Sequence, residues 1–224
     1  MKRLLAVLML LVVPTLTFAQ PDPNEPEGDD LTTPPSWKVR LDRPNPEATI
    51  GSAQGEVDIW FVNMTPGWHI TTGPAAIFYH PESTASGNFR LEATIHLFDP
   101  GERREAYGVF MGGTDLEGEN ISYDYFLLRN TGQYLIKRRT GEETSLIQDW
   151  SDAESVANFG PDTEGSVENH LSVAVMAEEV VFSVNGVEVA RAPRAEVHTE
   201  GMAGLRINHA LNVHVSDFSV TPLE

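Results

Sequence analysis

The 224-residue sequence predicts an all-β fold, two antiparallel sheets packed face to face as a sandwich. Three observations carry that reading. Residues 105–139 hold three short apolar-alternating runs, AYGVFMGG, SYDYFLLR and QYLIKRR, joined by turns. The connection Asn130-Thr131-Gly132-Gln133 puts a glycine where a tight turn takes φ > 0, so the stretch reads as a three-stranded meander. In VFSVNGVEVA, Asn185-Gly186 sits between two alternating apolar runs, the signature of a type I′ hairpin pairing 180–184 with 187–191. NFRLEATIHLF alternates throughout: Phe89, Leu91, Ala93, Ile95 and Leu97 point one way, Arg90, Glu92, Thr94 and His96 the other. That is a strand with one face buried and one wet.

Taken in chain order, the first element is not part of the fold. Lys2 and Arg3 precede the apolar run Leu4 to Val13, Pro14 breaks it, and Thr17-Phe18-Ala19 offers a cleavage site. Residues 1–19 therefore read as a secretory signal peptide, too short to span a bilayer, and predict an exported protein, periplasmic or extracellular. There is no cysteine, so neither a disulfide nor a lipidated N-terminus is predicted, and the fold must stand on its core. Residues 20–36 are a proline-rich, acidic tether: Gln20 to Pro35 holds five prolines and five acids among sixteen residues, with almost nothing to bury. A single domain follows over 37–224. Its strands are predicted from WKVRL, GEVDIWFVN (Val57, Ile59 and Phe61 on one face; Glu56, Asp58 and Trp60 on the other), GWHITT, AAIFY and NFRLEATIHLF. After the meander come TSLIQDW, HLSVAVMA, the Asn-Gly hairpin, GMAGLRI and LNVHVSDFSV. In this last strand Leu211, Val213 and Val215 share a face but Phe218 and Val220 have the other parity, which a bulge at Ser216-Asp217 would correct. Only DAESVANF, 152–159, could form a short helix.

The charge balance excludes some partners. The chain carries 15 basic and 33 acidic residues, a net charge of −18. Loss of the signal peptide removes two basic residues and leaves 13 against 33, or −20. So negative a chain is repelled by nucleic acid and by anionic membranes, so no nucleic acid is expected as a partner and no membrane insertion after signal cleavage. No nucleophile elbow, phosphate loop or dinucleotide fingerprint is present.

The positions Asn169, Leu171, Val173, Val180, Asn185 and Gly186 resemble the "N-x-L-x-V…V-x-x-x-V-N-G" pattern of laminin-G-like domains. The resemblance covers roughly residues 55–220. It implies the two-sheet antiparallel jelly-roll sandwich called concanavalin A-like, a fold shared by lectins, glycosidases and adhesion modules. GEVDIW also resembles the E-x-D-x-x-E core of family 16 glycoside hydrolases. That likeness would make Glu56 the nucleophile and Asp58 its assistant, but Phe61 occupies the position of the acid/base and can transfer no proton.

The meander is the predicted ligand face. Tyr123, Tyr125, Leu127 and Arg129 share one side of SYDYFLLR, and Lys137 and Arg139 share one side of the next strand. Exposed rings flanked by cationic donors suit a sugar, whose C–H face stacks on the ring while its hydroxyls accept hydrogen bonds. Trp68, on the turn TPGWH, is the outlying candidate at the rim. The function predicted is glycan or glycoconjugate binding on the concave sheet. The alternatives are a glycoside-processing enzyme of the same fold (3-keto-disaccharide hydrolase-like or family 16-like) and a structural envelope module. No catalytic residue is assigned. No zinc site is predicted, since the seven histidines are scattered and His209 and His214 fall on opposite strand faces without the bulge. Calcium is the one cofactor left open, with Asp115, Glu117 and Glu119 in TDLEGEN as oxygen donors.

Overall fold

The computed structural model describes residues 31–224. The predicted signal peptide and most of the predicted tether lie outside the described residues. The strands are β1 (Lys38–Leu41), β2 (Ile50–Gly51), β3 (Ile59–Asn63), β4 (Trp68–Thr72), β5 (Ala76–Tyr79), β6 (Thr84–Ala85), β7 (Phe89–Phe98) and β8 (Ala106–Thr114). They continue as β9 (Ser122–Arg129), β10 (Gln133–Thr140), β11 (Glu143–Asp152), β12 (Ser166–Val175), β13 (Glu179–Val184), β14 (Val187–Pro193), β15 (Gly201–Ile207) and β16 (Asn212–Pro222). One sheet, which contains the meander, runs β1-β5-β15-β8-β9-β10-β11, with β6 on β15. The opposite sheet runs β14-β13-β12-β7-β16-β4-β3-β2. All pairings are antiparallel except the short β2–β3 pair. This is the all-β jelly-roll sandwich.

The core between the sheets follows the period-2 pattern. On β7, Phe89, Leu91, Ala93, Ile95 and Leu97 are buried. Phe126 on β9 meets Phe182 on β13 edge to face, with ring centroids 5.4 Å apart. Phe61 meets Phe78 across the sheets at 5.1 Å. Each such ring contributes about 1.5–3 kcal/mol by burial alone, so the chain needs no cross-link.

The Asn-Gly turn takes the predicted shape, with φ of 52° at Asn185 and 79° at Gly186. The bulge in β16 falls between Val215 and Asp217, which lets Phe218 and Val220 pack on the core. Gly132 turns the meander at φ 72°.

Two local expectations need correction. GEVDIW is not an alternating surface strand. Glu56 lies in a turn, its N–H donating to Ala53 O at 3.1 Å, and Asp58 accepts from both N and Oγ1 of Thr49 at 2.8 and 2.9 Å. Strand β3 begins only at Ile59, and Trp60, expected on the wet face, is buried with its indole N–H on Ser52 O. Residues 152–159 form no helix, because asparagine side chains take up the backbone groups a helix would use. Asn169 bonds both N and O of Ala157, Asn185 donates to Ser155 O, and Asn130 bonds both Phe159 N and Phe159 O. The chain also touches the sandwich ahead of Trp37: Asn63 N–H donates to Thr32 O at 2.9 Å, and Pro34 is buried.

The meander sheet is apolar on both faces. Behind the core face lies a second cluster of Ile77, Tyr79, Phe110, Tyr123, Tyr125 and Leu127, onto which Leu116 and Ile121 of the β8–β9 loop fold. The alternation expected of AYGVFMGG is therefore not what β8 shows: Ala106 to Gly113 are all buried, because both faces of the strand are covered.

Candidate functional site

The outer face of the meander sheet is strongly concave. Asp42 follows β1 directly and Arg139 lies on β10, with β5, β15, β8 and β9 between them. On a flat sheet those five steps span about 24 Å. Arg139 Nη1 nevertheless donates to Asp42 Oδ1 at 3.0 Å, so the sheet curls around its outer face.

At that meeting point sits Arg206 of β15. Its guanidinium grips the carboxylate of Asp42 with two bonds of 2.6 and 2.5 Å and donates to Tyr123 Oη at 2.8 Å. It also lies over the ring of Tyr125, 4.7 Å from the centroid. Arg139 is fixed by further bonds to Asp42 O and Gly141 O. Burial alone would push the Asp42 carboxyl up; the bonded Arg206 and nearby Arg139 outweigh it and hold the group below its ordinary range. Burial pushes the Tyr125 phenol up to about 12 and raises that of Tyr123 as well.

Asp42, Arg139 and Gly141 of this network also line an open cleft of about 1040 Å³. Arg40, Asp42, Arg43 and Pro44 form one wall, Glu119, Asn120 and Ile121 of the β8–β9 loop the second, and Arg139, Gly141, Glu142 and Thr144 of the β10–β11 hairpin the third. Further along the concave face, Arg129 lies over the indole of half-buried Trp150 at 4.0 Å. It donates through Nε to Gln133 Oε1 at 2.8 Å, and Gln133 donates on to Asp152. Lys137 stands between these two regions, opposite Tyr125 in register.

Tyr123, Tyr125, Arg129, Lys137 and Arg139 thus share the concave face, but not as an exposed aromatic platform. Tyr123 is 0% and Tyr125 5% exposed, sealed by Arg206 and the folded β8–β9 loop. The Tyr123 hydroxyl accepts from Arg206 instead, and the same guanidinium covers the ring of Tyr125. Trp68 is elsewhere. It lies on β4 of the opposite sheet against Trp37, 4.7 Å between centroids, packed on the main core. Glu56 and Asp58, in the turn that precedes β3 of the opposite sheet, do not line the cleft. The loop acids do not converge. Asp115 accepts from Asn120 N, Glu117 pairs with Lys38 at 2.5 Å, and Glu119 lines the cleft. Among the described residues no three His, Asp or Glu side chains are grouped to hold a metal ion.

Sequence reasoning missed Asp42, Arg206, Arg40 and Trp150. Arg206 carried a signal: a lone arginine in the otherwise apolar GMAGLRI needs a buried acceptor. The opposite sheet holds one further cluster, a row of directly paired histidines on β4, β16 and β7. His214 faces both His69 and His96. His69 Nε2 donates to Asn212 Oδ1 at 2.5 Å, while His69 Nδ1 and His214 Nδ1 are buried without a partner. Burial lowers the pKa of all three, that of His214 to about 4 with help from its two neighbours.

No family model matches the chain, and no curated protein matches it either. Solved structures do. A carbohydrate binding module, CBM66 from Bacillus subtilis, superposes with a TM-score of 0.57 at 12% identity, over 85% of this chain and 96% of that one. A Bacillus subtilis protein of unknown function with a galectin-like fold gives 0.55 at 12%, over 83% and 88%. A Bacteroides ovatus GH16 enzyme of a mixed linkage glucan locus, in complex with its product, gives 0.55 at 10%, over 83% and 94%. At these identities the likeness defines the fold: a concanavalin A-like jelly-roll sandwich.

Proposed function

We propose that this chain is an exported module that binds a glycan in the cleft on its concave sheet. The observation that carries the reading is the cleft itself, open to solvent and lined by Asp42 and Arg139, which Arg206 helps to fix through its bonds to Asp42. Fixed guanidinium donors and loop carboxylates are what a polyhydroxylated ligand needs, and their rigidity lowers the ordering cost of binding. The fold neighbours that carry sugar-directed names add support of a general kind. Export rests on the sequence of residues 1–19, and a mature protein whose N-terminal sequencing begins at Gln20 would bear it out.

The binding test is a glycan array probed with the mature protein and with its Arg139→Ala variant. Binding that falls about ten- to a hundred-fold in the variant, the effect of losing a charge-assisted hydrogen bond of about 1.5–3 kcal/mol, supports the cleft. Binding by neither protein to any glycan would reject it. A second reading, hydrolysis in the same cleft, is favoured by one observation: Glu119 and Glu142 stand on different walls of it, and glycoside hydrolysis uses two carboxyl groups flanking the bond. Asp42 is unsuited to donate a proton, being held ionised. Oligosaccharide turnover that Glu119→Gln and Glu142→Gln both abolish would establish the enzyme.

A further inference from the structure

Given that the cleft is the glycan site, we infer that it takes a sugar bearing a carboxylate, a uronate-type saccharide, held by Arg40 and Arg43. The chain as a whole has more than twice as many acids as bases, yet in the lining of the cleft the two are equal in number. Three guanidinium groups, Arg40, Arg43 and Arg139, line it with three carboxylates, Asp42, Glu119 and Glu142. One of those, Asp42, is already shared between Arg139 and Arg206. Glu119 and Glu142 line the cleft as well, but neither forms an ion pair with Arg40 or Arg43 among the described residues.

Arg40 and Arg43 have no acid of their own. The guanidinium of Arg40 finds one acceptor, the backbone carbonyl of Gly118 at 3.4 Å, and its Nε is buried without a partner. Arg43 is exposed and makes no ion pair among the described residues. They contrast with their neighbours: Lys38 pairs with Glu117, and Arg138 grips Asp124 with two bonds. A guanidinium presents a planar fork of donors that matches a carboxylate. Two such forks, three residues apart on one wall of a polar cleft and both short of acceptors, are complementary to an anion on the ligand. A neutral hydroxyl would leave that charge unbalanced.

The experiment compares uronate oligosaccharides (galacturonate, glucuronate, and mixed mannuronate and guluronate trimers) with their carboxyl-reduced neutral counterparts, by calorimetry in low and high salt. At least one uronate trimer should bind ten-fold or more tighter than its neutral partner and weaken with salt. Arg43→Ala should remove most of that preference while leaving the melting temperature unchanged. Arg40→Gln, which keeps a polar side chain in the half-buried position, should act in the same direction. If uronate and neutral forms bind equally, or if uronate binding ignores both substitutions, the inference fails while the glycan reading stands. If a neutral glycan on the array binds and no uronate does, the outcome is the same. If nothing binds in either assay, both readings fall together.

Discussion

Replacing Asp42 by alanine removes the single carboxylate that neutralises Arg206, a side chain 7% exposed in the middle of the meander sheet. Two bonds of 2.6 and 2.5 Å go with it, and Tyr123 Oη remains as the one neutral acceptor. Breaking a buried ion pair from one side costs about 3–5 kcal/mol, because the surviving charge stays buried and uncompensated. Asp42 is about a quarter exposed, so the lower end applies, about 3 kcal/mol. For a domain of this size that lowers Tm by about 10 °C. The assay is thermal unfolding at pH 7 followed by a double-mutant cycle with Arg206→Met, which removes the stranded charge and keeps the packing. The double variant should recover at least about 1 kcal/mol of the summed losses. The pH dependence has a definite sign. The folded pKa of Asp42 lies below its ordinary 3.8, so the pair's contribution is complete above pH 4 and fades as pH falls through the folded value. An Asp42→Ala variant within 2 °C of wild type, or losses that simply add, would show that the network does not hold the curled sheet as argued.

Three other outcomes follow from the structure. His69, His96 and His214 have folded pKa values below 6.5, so their contribution is intact above pH 6.5 and is lost as pH falls toward 4. Tm measured across that range should drop in wild type and drop less in His214→Gln; parallel curves would clear the row of any role. Asn185→Gly keeps the turn but loses bonds to Ser155 O, Asn169 Oδ1 and His170 N, and should cost about 1–3 kcal/mol in urea unfolding; a neutral effect would mean the turn alone sets that corner. A chain starting at residue 31 should melt with the mature protein, whereas one starting at 36 loses the Asn63–Thr32 bond and buried Pro34, and should melt a few degrees lower. Equal melting of both would show that the docked segment contributes nothing.

Most of the architecture was legible because a half-buried strand writes its own period into the sequence. β7, the meander, the Asn-Gly hairpin and the bulge in β16 could all be read from residue parity and turn chemistry. The site was legible only in part. Arg129, Lys137 and Arg139 could be placed on one face from local alternation, but their partners could not. Asp42 and Arg206 are 164 positions apart, and Asp42 reaches Arg139 only because six strands curl together. No local pattern encodes that curvature. The misjudged exposure of Tyr123 and Tyr125 has a different source. AYGVFMGG was read as alternating, yet it holds no charged residue, and burial of β8 on both faces extends to the strand beside it. Trp150 lay in a predicted strand, TSLIQDW, and its meaning depended on a bulged register that brings it beneath Arg129.

The positions of the last two strands bear on how the protein is made. β15 lies between β5 and β8, and β16 between β4 and β7, so residues 201–222 fill the middle of both sheets. Until they leave the ribosome, every earlier strand that flanks them has an open edge, and neither layer can close. Contacts this distant along the chain make folding slow, because loop closure comes before the reward of pairing. Residues 201–222 thus act as the wedge that completes both layers at once, tying the closure of one sheet to the closure of the other.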